Sequence, residues 1–515
     1  MILTPVSGHI LVTPVTEGID FVALQQRLRW AELRILQLEE QLRLARIAKY
    51  GASSEKLNDA QLLLLEQEPG VSRDEVIAEA SRELLPEERT EAKRARKHPG
   101  RQSLPASLPR VERMITAKPE DCKCKACGAE TKVIGYDESE QLDVEPARYF
   151  VLVTKREKRA CACCNDGGVA SAPLPVRILD KSLVSDRIVI DTVVARYSDH
   201  LPLYRQSVIL KRETGVEISR GTMDGWVMRV GELLLPLVAA MGRQLVNGTY
   251  IQADETPVDV QVSNGSGANH QAYLWQYGKP GGETVFDFRM GRGREGPRKF
   301  LDGYVGILQT DGYAAYDRVG GAGMVHAACR AHARRKFVEA LKLSPQDAAA
   351  ARMVARVNEL FGVDAEARGS SLEERQAARV ERSVPLIESL RDELRGLQRT
   401  QLPAGALGRA VNYTLTLWPK LVQFLEHPEL ELSNNSAENS MRGVALGRKN
   451  WIHVGSEGAG PKVAAILSVV ESCRRLGVPA REYLAELLPA LGEVKVRELA
   501  GRTPGAWAAA RQKQD

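Results

Sequence analysis

Two stretches decide the reading of this chain: Thr249-Tyr-Ile-Gln-Ala-Asp254-Glu-Thr-Pro257 and Val305-Gly-Ile-Leu-Gln-Thr-Asp311-Gly-Tyr313. Each is a short apolar run that ends at an aspartate, which predicts a strand carrying a carboxylate at its end. The two aspartates lie 57 positions apart. If their strands are neighbours, both carboxylates leave one edge of the sheet, where oxygen ligands suit a hard divalent cation such as magnesium. Gly312 lets backbone or substrate approach closely. Taken alone, either aspartate is better explained as the cap of the next turn.

A third carboxylate shifts that balance. Asn434-Asn-Ser-Ala-Glu438-Asn-Ser-Met-Arg442 predicts a capped helix with Glu438 one turn in and Arg442 on the same face. Two strand-end aspartates and a helix-borne glutamate are the donors that two metals roughly 4 Å apart require at a phosphodiester. Glu255, Asp259, Asp287 and Asp302 are competing acids. Glu255 is expected on the opposite face from Asp254 if the strand continues.

The surrounding grammar is mixed. Gln271–Tyr277 and Glu283–Phe288 alternate like strands, Gly296–Leu301 like a short helix, and Met324–Ala327 like a further strand before a basic helix from Arg330 to Leu343. The expected organisation is α+β: a catalytic core in residues 246–343 and 431–480, split by a helical insertion in 344–430, with a helical tail in 481–515. Residues 181–245 read as helical. Glu217-Ile-Ser-Arg-Gly-Thr-Met-Asp-Gly-Trp226 resembles a cap and helix of a helix-turn-helix, though plain packing helices explain it as well.

The chain has 515 residues, 71 Lys and Arg against 66 Asp and Glu, a net charge of +5, and 27% charged residues. This excludes a disordered or collagen-like chain. It also means that any grip on nucleic acid must be local. Apolar runs such as Leu233–Met241 fall short of the ~18 residues that a span needs. The N-terminus has no basic segment before its apolar run, so no signal peptide is expected. The expected location is cytoplasmic, associated with the nucleoid, without membrane contact.

Six of the eight cysteines fall between Cys122 and Cys164. Cys124-Lys-Ala-Cys127 and Cys161-Ala-Cys163-Cys164 form two C-x-x-C knuckles with 33 residues between them. That spacing predicts a zinc ribbon within residues 115–180, with Cys124, Cys127, Cys161 and Cys164 as structural ligands. Cys122 and Cys163 are competing ligands. Upstream, Leu24, Leu28, Ala31, Ile35, Leu38, Leu42 and Ala45 follow coiled-coil spacing, so residues 20–65 are read as a zipper-like helix that pairs subunits or packs on its own chain. Residues 66–114 read as a linker whose run Lys93, Arg94, Arg96, Lys97 and Arg101 is either solvated or set against phosphates.

These pieces together resemble a bacterial insertion-sequence transposase of the insertion-sequence-sixty-six family. The matching stretches include Tyr50-Gly-Ala-Ser-Ser-Glu-Lys56, Asp199-His-Leu-Pro-Leu-Tyr-Arg-Gln206, Ala253-Asp-Glu-Thr-Pro257, Asp311-Gly-Tyr313, Cys329-Arg-Ala-His-Ala-Arg-Arg-Lys-Phe337, Asn434-Asn-Ser-Ala-Glu438 and Gly447-Arg-Lys-Asn-Trp451. The resemblance implies a ribonuclease-H-like core with Asp254, Asp311 and Glu438 as its acidic triad, holding magnesium or manganese. It implies cleavage of transposon terminal inverted repeats and strand transfer into target DNA, by a homodimer or higher oligomer, with companion proteins of the same element. Many relatives follow the glutamate with arginine; here Asn439 follows, leaving Arg442 as the basic side chain on that helix.

Arg334, Arg335, Lys336, Arg448 and Lys449 are expected to line a DNA path with Arg442. Trp451 reads as a base-stacking residue or as plain core. Cys329 and His332, spaced C-x-x-H, are expected to have a structural role at the edge of the site. Two other readings remain: a nuclease without strand transfer, and a catalytically silent DNA-binding protein derived from a transposase.

Overall fold

The computed structural model describes residues 148–160, 169–173, 175–180, 182–262, 269–451 and 453–512. The zipper-like helix of 20–65, the linker of 66–114 and the six clustered cysteines lie outside the described residues. Arg148–Lys155 belong to one compact unit, and the described residues from Arg156 onward to another.

The second unit starts with a small antiparallel pair, β1 (Lys158–Ala160) and β2 (Val169–Ser171). Three helices follow: α1 (Asp186–Tyr197), α2 (Leu203–Thr214) and α3 (Arg220–Val246). Gly215, at φ 72°, ends α2, and the Ser219 hydroxyl accepts the Thr222 N–H at 3.1 Å to start α3. Val227, Val230, Leu234, Leu237 and Met241 recur at three and four and are buried. Each contributes roughly 1.5–3 kcal/mol by leaving water. Gly231 brings α3 against α12 (Gly460–Leu476): a Cβ there would stand 2.7 Å from the Lys462 carbonyl oxygen. Counted as a helix rather than as unbroken apolar runs, α3 is long and apolar enough to cross a membrane, yet half of its most apolar window is buried in the fold.

The sheet holds β3 (Tyr250–Val260), β4 (His270–Gly278), β5 (Thr284–Arg289), β6 (Ile307–Thr310) and β7 (Val325–Ala328), with the short α4 (Glu295–Phe300) between β5 and β6. Its order is β5-β4-β3-β6-β7. The β3–β4 and β4–β5 pairs are antiparallel, and β3–β6 and β6–β7 are parallel. Successive residues of a strand face opposite sides. Accordingly Ile251 and Leu308 join a core built with α1, α3 and α12, while Tyr250 and Ile307 join a second core on the other face. The expected strand end at Asp254 is corrected here. β3 runs on to Val260 because its pairing with β4 continues well past its pairing with β6.

The second core is helical: α5 (Arg330–Leu343), α6 (Ala348–Glu366), α7 (Leu372–Ala378), a π-helical turn at Arg379–Ser383, α8 (Val384–Thr400), α9 (Ala406–Thr416) and α10 (Trp418–Leu421). The chain then returns to the sheet through α11 (Asn435–Trp451) and α12, and ends in α13 (Ala480–Leu491) and α14 (Pro504–Arg511). Within the helical layer Arg379 is 1% exposed. It donates to Asp364 Oδ1 at 2.5 and 3.1 Å and to the Phe424 and Leu430 carbonyls at 2.9 and 2.7 Å. Burial pushes the Asp364 carboxyl up, but Arg375 and Arg379 outweigh it and hold the group below its ordinary value.

Asp364→Ala therefore strands a buried guanidinium, and we expect a loss of roughly 3–5 kcal/mol, read as a lowered denaturant midpoint. Because the folded-state carboxyl is depressed, its contribution is present at neutral pH. It is lost only as pH falls below the ordinary value of about 3.9. An unchanged midpoint in the variant would contradict the network's role.

Candidate active site

The parallel pairing sets the site. Tyr250 pairs with Ile307, Ile251 with Leu308 and Gln252 with Gln309. The same offset carried two residues further leads to Asp254 on one strand and to Asp311 just past the end of the other, near enough for their charges to repel. Below the aspartates, these two glutamines and Tyr250 form a buried polar ladder. The Tyr250 hydroxyl and Gln252 Nε2 donate to Gln309 Oε1 at 2.6 and 2.9 Å. Gln252 Nε2 also donates to the Ser433 carbonyl at 2.9 Å, and Gln309 Nε2 to the Glu431 carbonyl at 2.7 Å. The ladder thus fastens the strands to the segment that enters α11, and α11 carries Glu438 in its first turn.

Asp311 follows directly on β6. The Tyr313 N–H donates to its Oδ1 at 2.8 Å, and the Tyr413 hydroxyl of α9 to its carbonyl at 2.8 Å. Gly312 takes φ 97°, and a Cβ there would lie 2.6 Å from Leu417 Cδ1, so this turn needs glycine. The Thr310 hydroxyl accepts the Gly312 N–H at 3.1 Å and lies 2.9 Å from His326 Nε2.

Glu438 is 4% exposed. His332 Nδ1 lies 3.4 Å from its Oε1, and Arg335 Nη2 lies 3.7 Å from its Oε2. From α12, Arg475 donates to the Ser436 hydroxyl at 2.7 Å and to Ser440 at 3.4 Å, fixing the turn that bears the glutamate. Burial pushes the Asp254 carboxyl well above its ordinary range, and Glu255, Glu438 and Asp311 push it further by repulsion. Burial also raises Asp311, against the Tyr313 N–H, Arg292 and Arg335. Burial lowers His332 to about 3, with Arg335 and Lys336 adding to the effect, so the imidazole is neutral.

The donors of Asp254, Asp311 and Glu438 are all carboxylate oxygens, which match magnesium or manganese by hardness. Their mutual repulsion is what a divalent cation relieves. These three do not form the tightest cluster. Among the described residues, the group of three potential ligands with all donor atoms within 4.8 Å of one another is Cys329, His332 and Glu438. The expected structural pair at the edge of the site therefore touches the glutamate itself.

The expected cationic path is only partly free. Arg334 is 8% exposed and donates to Asn358 Oδ1 at 2.7 Å, so it braces α5 against α6. Arg448 donates to Thr256 Oγ1 at 2.9 Å and to the Pro257 carbonyl at 2.7 Å, tying α11 to β3. Trp451 packs against the first core, close over Gly447. Arg334 and Arg448 thus lie on helix faces turned toward the protein, and Trp451 takes the core alternative. Lys449 is exposed, while Lys336, 3.2 Å from Glu339, and Arg442 are half-buried.

Sequence reasoning placed Glu255 opposite Asp254 without foreseeing its partners. Arg292 donates to Glu255 Oε1 at 2.8 and 3.1 Å and the Tyr316 hydroxyl to Oε2 at 2.9 Å. Burial and Asp311 still raise its carboxyl to about 7. Arg292 also stacks over the Tyr313 ring at 4.2 Å. The one sequence signal was the aromatic pair Tyr313 and Tyr316 just after Asp311; Arg292 gave none. Asp287 is paired with Arg289 at 2.7 Å, away from the cluster.

Comparison with known proteins gives the family. Residues 181–462, more than half of the chain, match the model described as transposase IS66 family. Residues 121–165 match the zinc-finger binding domain of transposase IS66, and residues 37–113 the model described as transposase C of IS166 homeodomain. Two relatives from Sinorhizobium fredii are similar over most of their length. Uncharacterized protein y4qI is 31% identical over 90% of this chain and 87% of its own, and uncharacterized protein y4jD is 32% identical over 79% and 82%. The match over residues 181–462 and the two relatives place this chain in the IS66 family of transposases.

Proposed function

We propose that this chain is a DNA transposase that cleaves transposon terminal repeats and transfers the freed strand into target DNA. The observation that carries the reading is the parallel pairing of Tyr250–Gln252 with Ile307–Gln309, just before Asp254 and Asp311, together with the repulsion that Asp311 and Glu438 exert on the Asp254 carboxylate. The same register and the sheet order support a ribonuclease-H-like core. Asp254, Asp311 and Glu438 would hold magnesium or manganese. When bound, the ions supply Lewis-acid polarisation of a phosphoryl oxygen and a more acidic attacking hydroxyl or water.

The chain's own residues prepare this state. The ladder of Tyr250, Gln252 and Gln309 fixes the entry to α11. Tyr313 and Tyr413 orient Asp311. Asp254 must release a proton that burial and its acidic neighbours favour. Glu438 must leave the side of His332 and Arg335 and close on the aspartates.

Cys124, Cys127, Cys161 and Cys164 would hold a structural zinc in the segment that matches a zinc finger. The zipper-like helix would pair subunits, and α2 with the start of α3 would read the transposon end. Companion proteins of the same element and a nucleoid location belong to the same proposal.

Asp254→Asn, Asp311→Asn and Glu438→Gln are each expected to lower magnesium-dependent cleavage and joining of terminal-repeat DNA by roughly 10²–10³ or more. Joining that survives Asp254→Asn would overturn the assignment. Hydrolysed ends without joined products in the unmodified protein would restrict the activity to a nuclease.

Lys336→Ala and Lys449→Ala should weaken DNA binding evenly across sequences. Each should reduce the slope of log affinity against log salt by about one. Arg448→Ala should instead lower the melting temperature, because it cuts the tie between α11 and β3. A salt slope unchanged in both lysine variants would move the DNA path elsewhere.

A further inference from the structure

The group at Cys329, His332 and Glu438 has a composition that the magnesium chemistry does not use. Cys329 caps the start of α5, His332 lies one turn on along the same helix, and Glu438 comes across from α11. Residues three apart share a helix face. Cys329 and Glu438 are 0% and 4% exposed, so the sulfur and the carboxylate meet out of water. The Asn434 N–H donates to Cys329 Sγ at 3.4 Å, so the sulfur faces the start of α11. The side-chain amide of the same Asn434 is fully buried and has no hydrogen-bond partner. His332 Nδ1 is buried and likewise makes no hydrogen bond. Such buried orphans are rare in folded proteins and mark places where an ion or a water completes the structure.

Thiolate and imidazole select zinc, cobalt or copper over magnesium. Tetrahedral zinc, with bonds of about 2.0–2.3 Å, needs its donors roughly 3.5 Å apart. The donors here lie within 4.8 Å. Three protein ligands leave a fourth position open, as in sites that also take water or a substrate oxygen. Arg335, 3.7 Å from Glu438, opposes a cation and must turn away first.

We propose that Cys329, His332 and Glu438 form a second metal site, for a zinc-class divalent cation, and that filling it withdraws Glu438 from Asp254 and Asp311. The first half stands on the geometry alone; the second rests on the catalytic reading of Glu438. The chain then carries two competing destinations for one carboxylate: a hard-metal site that works, and a soft-metal site that stops it. The ligand class is a borderline or soft cation, and the effect is inhibition relieved by chelation.

The test uses the full chain and cobalt(II) as a spectroscopic probe, comparing the unmodified protein with Cys329→Ser and His332→Gln. Both variants keep the clustered cysteines of residues 122–164, so any signal from those cancels in the difference. Circular dichroism confirms that each variant is folded, and His332→Gln serves if Cys329→Ser is not. The expected result is one more cobalt equivalent in the unmodified protein, a thiolate-to-cobalt charge-transfer band absent from Cys329→Ser, and at least tenfold weaker binding in His332→Gln. Equal stoichiometry and spectra in all three would overturn the site. Micromolar zinc should inhibit magnesium-dependent cleavage by the unmodified protein and spare Cys329→Ser. A filled site with undiminished cleavage would overturn the withdrawal of Glu438 while leaving both the site and the catalytic reading standing.

Discussion

The parallel pairing of β3 with β6 is the constraint on which the rest depends. It aligns Gln252 with Gln309, and two residues further along each chain stand Asp254 and Asp311. A slip of one residue would send one aspartate to the opposite core, among Ile251 and Leu308. The register is secured by that partition, because Tyr250 and Ile307 belong to one core while Ile251 and Leu308 belong to the other. The buried ladder of Tyr250, Gln252 and Gln309 then uses the same two strands to hold the backbone at Glu431 and Ser433. Helix α11 and its glutamate follow from that attachment.

This arrangement concentrates negative charge in a place with little water. Asp254 bears the cost most directly, through burial and three acidic neighbours. The surrounding cations are not spread evenly over the acids. Arg292 is committed to Glu255, Arg335 leans on Glu438, and Arg448 is used to fasten α11 to β3. A carboxylate set of this kind is stable only when protons, arginines or cations share its charge. The same logic makes Glu438 a contested ligand, with oxygen donors on one side and the sulfur and imidazole of Cys329 and His332 on the other.

The elements that sequence patterns specify well are those whose chemistry is local. The strand entering Asp254, the strand before Asp311, the cap at Ser219 and the helix that starts at Asn435 each have adjacent residues that determine them. What stayed illegible depends on partners distant in sequence. The length of β3 is set by β4, beyond the reach of β6. Arg334 and Arg448 look like DNA contacts in a basic stretch, yet Asn358 and Thr256 claim them. Arg292 gives no signal at all, since its role comes from meeting Glu255 and Tyr313 across the fold. The net charge of +5 hides the same partition, because many of the cations it counts are committed inside the protein.

The central claim is that Asp254, Asp311 and Glu438 converge on hard divalent cations. Manganese(II) binding to the full chain, followed by electron paramagnetic resonance, tests it without requiring turnover or a DNA substrate. The account predicts saturable binding in the unmodified protein, competed by magnesium and lost or strongly weakened in Asp254→Asn, Asp311→Asn and Glu438→Gln. Manganese binding of equal strength and stoichiometry in all four proteins would contradict it.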